Sequence, residues 1–243
     1  MKKDVEVKKD NAVSAEQKEK RGFEGGVSQE DLILPRATLI QPLSPEMQEE
    51  LEGVRPGVII NSLTKKTLPA EFIPIFLFKN WVRFNPRNSD DPGYVSIVEP
   101  GKMIWRSSDP NDPRVIAESK FGSNGEQPLA TSFLNFFSFF PGEDMPIILS
   151  FSKTSFKTGK QLLSLSKFAT GDMFSRKYKL GSKLVQNAKG SYHIFTVTPA
   201  GKVDDESFKV CETFWKDFSP KSSAIIVHDE VENGEPDNEE RPY

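Results

Sequence analysis

The chain has 243 residues, 32 Lys and Arg against 35 Asp and Glu for a net charge of −3, 36% hydrophobic residues, 19 Phe, 18 Pro and 16 Gly. This is enough apolar material for one good core, and the Pro and Gly content favours a turn-rich β architecture over a helical bundle. Cys211 is the single cysteine, which excludes an intramolecular disulfide and a thiolate metal cluster and fits a reducing cytoplasm, and no apolar run approaches the ~18 residues of a membrane span.

Residues 1–30 hold seven basic and seven acidic residues with almost no large apolar ones beyond Phe23. They read as a disordered, solubilising leader, not a secretory signal. A first strand is expected over Arg36–Gln41, then a short helix over Pro45–Leu51 capped by Ser44, and strands over Val58–Ser62 and Glu71–Phe84. The start of the last, Phe72-Ile-Pro-Ile-Phe-Leu-Phe, is too apolar for a strand with one wet face. Polar loops follow at Asn85–Gly93 and Asp109–Pro113, with two short strands between them over Tyr94–Arg106. Thr131–Phe140 and Pro146–Ser152 flank Pro141-Gly142-Glu143-Asp144 as a hairpin. A helix capped by Thr154 or Ser155 runs to Phe168, with Phe156, Leu162, Leu163 and Leu165 inward, and Gly159 costs it about 1 kcal/mol relative to Ala. Tyr178–Gln186 and Tyr192–Thr198 form a hairpin across Asn187-Ala188-Lys189-Gly190. Pro199-Ala200-Gly201 turns the chain into a last helix, capped by Asp204 or Asp205, whose Phe208, Cys211, Trp215 and Phe218 make one apolar face.

These elements give a mainly β fold with two to three helices, an OB-like antiparallel β-barrel with embellishments and disordered termini. The expected division is a leader over 1–30, an OB-like nucleic-acid-binding domain over 31–222 and an acidic tail over 223–243.

The charge is unevenly spread. Phe151–Gly190 contains nine Lys or Arg against the single acid Asp172, a local charge of +8, with Phe151, Phe156, Phe168, Phe174 and Tyr178 interleaved. Asp229–Tyr243 carries seven acids against Arg241 and ends in an aromatic residue. Cations follow a phosphate backbone and aromatic faces stack on unpaired bases, so the basic stretch points to a single-stranded nucleic acid. The candidate binding residues there are Lys153, Lys157, Lys160, Arg176, Lys177, Lys179 and Lys183. Phe151, Phe156 and Phe168 sit where core contacts are expected, and Tyr178 faces away from Lys177 and Lys179 if the strand alternates. Stacking partners are therefore sought elsewhere, at Trp81, Phe84, Tyr94 and Trp105, with Lys79, Arg83, Arg87, Lys102 and Arg106 beside them. Trp81 and Arg83 share a strand face, a unit that stacks a base and holds a phosphate. A buried tryptophan beside a surface arginine is the plainer alternative. The acidic segment, with Asp229, Glu230, Glu232, Glu235, Asp237, Glu239, Glu240 and Tyr243, reads as a tail that recruits a partner or competes for the protein's own groove. Charged termini also serve simply to solubilise.

Catalytic patterns are missing from the sequence. His193 and His228 with one cysteine make no zinc set. Thr158-Gly159-Lys160 lacks the leading glycine of a phosphate loop, and Gln161 stands where it needs Ser or Thr. No cofactor and no enzymatic activity are expected.

The leader, the basic β-rich body and the acidic tail with a terminal aromatic together resemble bacteriophage single-stranded DNA-binding proteins of the T7-like kind. Asp31-Leu-Ile-Leu-Pro-Arg36, Pro56-Gly-Val-Ile-Ile-Asn-Ser-Leu-Thr64 and Leu149–Lys160 are also similar to segments of uncharacterised phage proteins. The resemblance implies an OB-fold that coats single strands during replication or recombination in the host cytoplasm, with a tail that recruits replication or recombination proteins. In that family the tail is more uniformly acidic and ends in Phe, where this chain has Tyr243. Two other readings stand beside it: a phage assembly or host-takeover protein that binds another protein, and a strand-annealing protein or nuclease.

Overall fold

The computed structural model describes residues 32–49, 51–187 and 190–225. The expected leader and the acidic segment 229–243 lie outside the described residues. Among the described residues eight strands and three α-helices follow one another: β1 (Ala37–Leu39), β2 (Ile59–Asn61), β3 (Glu71–Phe84), β4 (Met103–Ser107), α1 (Pro113–Glu118), β5 (Thr131–Phe139), β6 (Ile147–Phe151), α2 (Phe156–Phe168), β7 (Arg176–Asn187), β8 (Gly190–Lys202) and α3 (Asp205–Phe218). The fold is mainly β with three helices, as expected.

The long strand β3 organises the main sheet. One edge of β3 pairs antiparallel with β5; the other pairs with β7 at Glu71 and Phe72 and with β4 at Trp81–Phe84. The order is β6-β5-β3-β7-β8, with β4 beside β3, while β1 and β2 form a separate pair. Both faces of β3 and β5 are buried. Phe72, Leu134, Phe136, Phe151, Tyr178 and Phe195 pack on one face with Leu162 of α2. Ile73, Phe76, Phe78 and Phe137 pack on the other with Cys211 and the half-buried Phe208, Phe214 and Phe218 of α3. That two-sided burial is the physical reason for the unbroken apolar run in β3. Each fully buried Phe contributes about 1.5–3 kcal/mol.

The strands do not close into a barrel by pairing, yet both outer edges are occupied. At β6, the Ile148 amide donates to the Pro35 carbonyl at 2.8 Å, and Arg36 pairs in parallel with Ile148. At β8, the Gln41 side chain imitates a strand. Its Nε2 donates to the His193 carbonyl at 2.9 Å, and its Oε1 accepts from the His193 amide at 2.8 Å. Thr158 Oγ1 then donates to the Phe195 carbonyl at 3.0 Å. The segment around β1 thus spans the opening between the two edges, and neither offers a long free row of backbone groups to another chain.

Several local expectations are corrected. The helix expected over Pro45–Leu51 is one 3-10 turn, Pro45–Met47, without a side-chain cap. Tyr94–Arg106 gives one strand, because the Asn85 side chain engages the Val95 and Val98 backbone before a strand can form. The Asp109–Pro113 loop leads into α1, where Asp112 accepts from the Arg114 amide and Pro113 occupies the first turn. Pro199-Ala200-Gly201 continues β8 past a register shift opposite Lys177 and Tyr178 instead of turning. On α3, Trp215 is exposed and Phe214 takes the inward place. Ala188 and Lys189 of the expected hairpin turn lie outside the described residues.

Gly159 sits on the buried side of α2, and a Cβ placed there would stand 2.6 Å from Phe151 Cβ. The glycine is a packing requirement, and its low helix propensity is the cost of close approach. Gly159→Ala should therefore lower stability by about 1–2 kcal/mol in urea unfolding, overpacking outweighing the helix gain. A stabilised variant would show that the helix and β6 are loosely apposed.

Candidate nucleic-acid interface

Helix α2 carries the most concentrated free positive charge. The sequence contains no acid from Phe151 to Gly171. Burial of Thr158, Gly159, Leu162 and Ser166 fixes the helix rotation, with Ser166 Oγ donating to Tyr178 OH at 3.2 Å. The remaining arc, with Lys157, Lys160, Gln161, Ser164 and Lys167, is exposed, and Lys153 is exposed just before it. None of these four lysines forms an ion pair with a described residue. Lys160 Nζ lies 5.1 Å from the centre of the half-buried Phe156 ring. Lys153 adopts a positive φ of 44°, which puts backbone strain of about 1 kcal/mol or more at the head of the helix.

The head of α2 opens into a cleft of about 1240 Å³. Phe84, Phe121 and Phe156 line it, Arg87 and Lys153 supply charge, and Ser132 adds a hydroxyl. Phe121 is 67% exposed. The wall carrying Arg87 is held by Asn85, itself 2% exposed. Its Nδ2 donates to the carbonyls of Val95 at 3.0 Å and Val98 at 2.6 Å, and its Oδ1 accepts from the Val95 amide at 2.8 Å.

A second cleft, of about 460 Å³, lies at the far end of α2. Leu165, Phe168, Arg176, Lys177, Tyr178 and Pro199 are among the residues lining it. Phe168, expected as a core contact, is instead 89% exposed. The helix ends there at Ala169 with extended backbone, and the last side chain has no sheet left to cover it.

The other candidate residues are arranged differently. Lys79 is exposed, and Trp81 and Arg83 share its strand face by alternation. Arg83 Nη1 pairs with Glu118 at 2.7 Å, and its Nη2 donates to the Gly93 carbonyl at 2.8 Å. Trp105 is 8% exposed, donates Nε1 to Glu118 at 3.0 Å, and has the Arg114 guanidinium 5.2 Å from its ring centre. Trp81 packs against the same small cluster. Arg114 in turn holds the Asp112 carboxyl far below the usual carboxylate range. The plainer alternative, tryptophans in a supporting cluster, describes this corner. Arg106 Nη2 donates to the Ile225 carbonyl at 2.7 Å. Lys177 Nζ lies 2.8 Å from Glu71, which raises the lysine and lowers the glutamate through their hydrogen bond. Tyr178 and Leu180 turn into the core beside α2, so Lys179 and Lys183 point from the opposite face of β7.

Among the described residues no three His, Cys, Asp or Glu side chains are grouped to hold a metal ion, and no helix is long and apolar enough to cross a membrane. Burial pushes the Cys211 thiol up to about 12, so it is no thiolate nucleophile near neutral pH.

The Pam3 phage gp34-like protein family matches residues 3–224. The chain belongs to this family. No curated protein and no solved structure matches the chain. The family match covers both clefts and α2 and ends before the acidic segment. It places the chain among phage proteins, and the family's description names no ligand.

Phe121, Asn85 and Lys167 belong to this surface and were not among the candidates expected from the sequence. Phe121 lies in a stretch without apolar periodicity and carries no signal of its own. Asn85 follows a strand like any loop residue, and only the carbonyls that converge on its amide distinguish it. Asn85→Ala should cost about 2–3 kcal/mol, since several buried backbone groups lose a partner. It should also open the Arg87 loop to trypsin well below the global unfolding temperature. Unchanged cleavage at Arg87 would show that the wall stands without this amide.

Proposed function

We propose that this protein is a non-catalytic, sequence-tolerant single-stranded DNA-binding protein that protects replication or recombination intermediates in the cytoplasm of the host. The observation that carries the reading is the acid-free lysine row on α2 running into a cleft edged by the rings of Phe84, Phe121 and Phe156. Lysines without an ion-pair partner among the described residues suit a row of phosphates, and an exposed ring such as Phe121 suits a base that is not already stacked in a duplex. A duplex offers the same phosphates and withholds the base faces. A protein partner would use the exposed rings but leaves the lysine row without a counterpart. The acidic segment around Glu235 and Glu239 fits recruitment of replication or recombination proteins.

If Arg87, Lys153, Lys157 and Lys160 each neutralise one phosphate, the affinity for fluorescein-labelled oligo-dT falls with salt with a log–log slope of about −3. Lys157→Ala with Lys160→Ala should bring that slope to about −1.4. Phe121→Ala should weaken binding by about 1–3 kcal/mol and leave the slope unchanged. Anisotropy titrations against single strands, duplex and RNA of equal length measure all three. Equal affinity for duplex, or no salt dependence, would overturn the reading. Magnesium-dependent loss of the oligonucleotide would replace it with a nuclease.

A further inference from the structure

The geometry points to a second nucleobase subsite at the far end of α2, formed by Phe168 with Arg176 above the second cleft, so that one single strand runs the length of the helix between two stacking sites. This inference rests on the proposed single-strand binding and adds a defined path to it. Phe168 is 89% exposed, more than Phe121 at 67% and Trp215 at 44%. Phe168 borders a cleft also lined by the apolar Leu165 and Pro199 and by Tyr178.

The helix fixes the route. At 100° per residue, Phe156 and Lys160 lie toward one side of the exposed arc, Lys157 and Ser164 near its middle, and Phe168 beyond them. A strand leaving the first cleft therefore crosses α2 diagonally over Lys157, Lys160 and Ser164 to reach Phe168. The C-terminal end of a helix carries partial negative charge, so a phosphate is poorly placed there while an uncharged ring is not. Lys167 and Arg176 offset that charge for the flanking phosphates. From Phe156 to Phe168 the helix rises about 18 Å. At about 3.4 Å per stacked nucleotide this corresponds to roughly five nucleotides, fewer if the strand is extended.

Short and long strands should then behave differently. In anisotropy titrations of dT2, dT4, dT6 and dT10, Phe168→Ala should match the wild-type chain within about twofold on dT2. It should bind dT10 roughly tenfold more weakly, the loss of one stacked base. Phe168→Trp should restore dT10 affinity, and its added emission should be quenched by dT10 and not by dT2. Equal affinities of wild type and Phe168→Ala at every length, with salt-dependent binding intact, would overturn the second subsite and leave the proposed function standing. An equal loss on dT2 and dT10 would overturn it as well, since the effect would not be confined to the far cleft. Absence of binding at any length by the wild-type chain would overturn both. The substitution removes an exposed ring, so thermal unfolding should coincide for all three proteins.

Discussion

The contact between Gly159 and Phe151 determines how closely α2 lies on β6, and the surface chemistry of the protein depends on that distance. With a Cβ only 2.6 Å from Phe151 there is no room for any larger residue without movement of the helix or strand. Thr158 and Ser166, on the same side, then reach the Phe195 carbonyl and Tyr178 OH. Three small or polar residues thus do on this helix what leucines do elsewhere. They fix its rotation through hydrogen bonds of defined length, where apolar packing alone tolerates some rolling. Because the rotation is fixed, Lys157, Lys160 and Lys167 have no choice of face. The sheet holds the helix, and the helix aims the charge.

The sheet can serve as that platform because it is buried on both sides and stopped at both edges. Stacked Phe76 and Phe137, 4.7 Å apart, tie its second face toward α3, with Phe218 5.0 Å from Phe137. Within this apolar layer runs a short polar line. Asn135 Nδ2 donates to Asn80 Oδ1, and Ser150 Oγ donates to Asn135 Oδ1, both at 2.7 Å. Such groups are costly to bury unless paired, so they fix the register of β3, β5 and β6 more strictly than interchangeable Phe contacts do. At the edge of β8, a single glutamine side chain replaces a strand. A barrel would need another strand there; Gln41 pairs with the amide and carbonyl of His193 instead.

Features set by periodicity were legible in the sequence, and features set by one side chain reaching across the fold were not. β3, both hairpins, α2 and α3 follow from alternating or helical spacing of apolar residues over many positions. The contribution of Asn85 depends on where the Val95 and Val98 carbonyls arrive, which no local pattern encodes. Tyr94–Arg106 has strand-like composition and fails as two strands for that reason. Pro199 and Gly201 are turn residues by type, yet an edge with a register shift accepts both, since proline there gives up an amide that no neighbour needs. Phe168 and Trp215 were expected inside because each continues the helix's apolar spacing. Phe168 fails because its helix stops at the limit of the sheet, and Trp215 because Phe214 already fills the space against Phe137 and Phe139.

The same distinction sorts the cations. The +8 stretch is one run in sequence but several environments in space. Strand alternation sends Lys179 and Lys183 away from α2, while Glu71 engages Lys177. At the other end of β3, Glu118 holds Arg83 and Trp105, and Trp81 packs against the same cluster, so the Trp81–Arg83 unit is spent on joining α1 to the sheet. Among the described residues, what remains without an acidic partner is the helix that lacks acids of its own for its whole length. Like charges at successive turns repel one another, a cost that burial of Leu162 against the sheet offsets. The stretch from Phe151 to Gly171 supplies no acid of its own, so its repulsion is relieved by an anion from elsewhere, whether the acidic segment 229–243 or the proposed single strand. The proposed single strand, a polyanion with flat, uncommitted rings, would also meet Phe121 in the cleft at the head of the helix and Phe168 at its far end, 67% and 89% exposed.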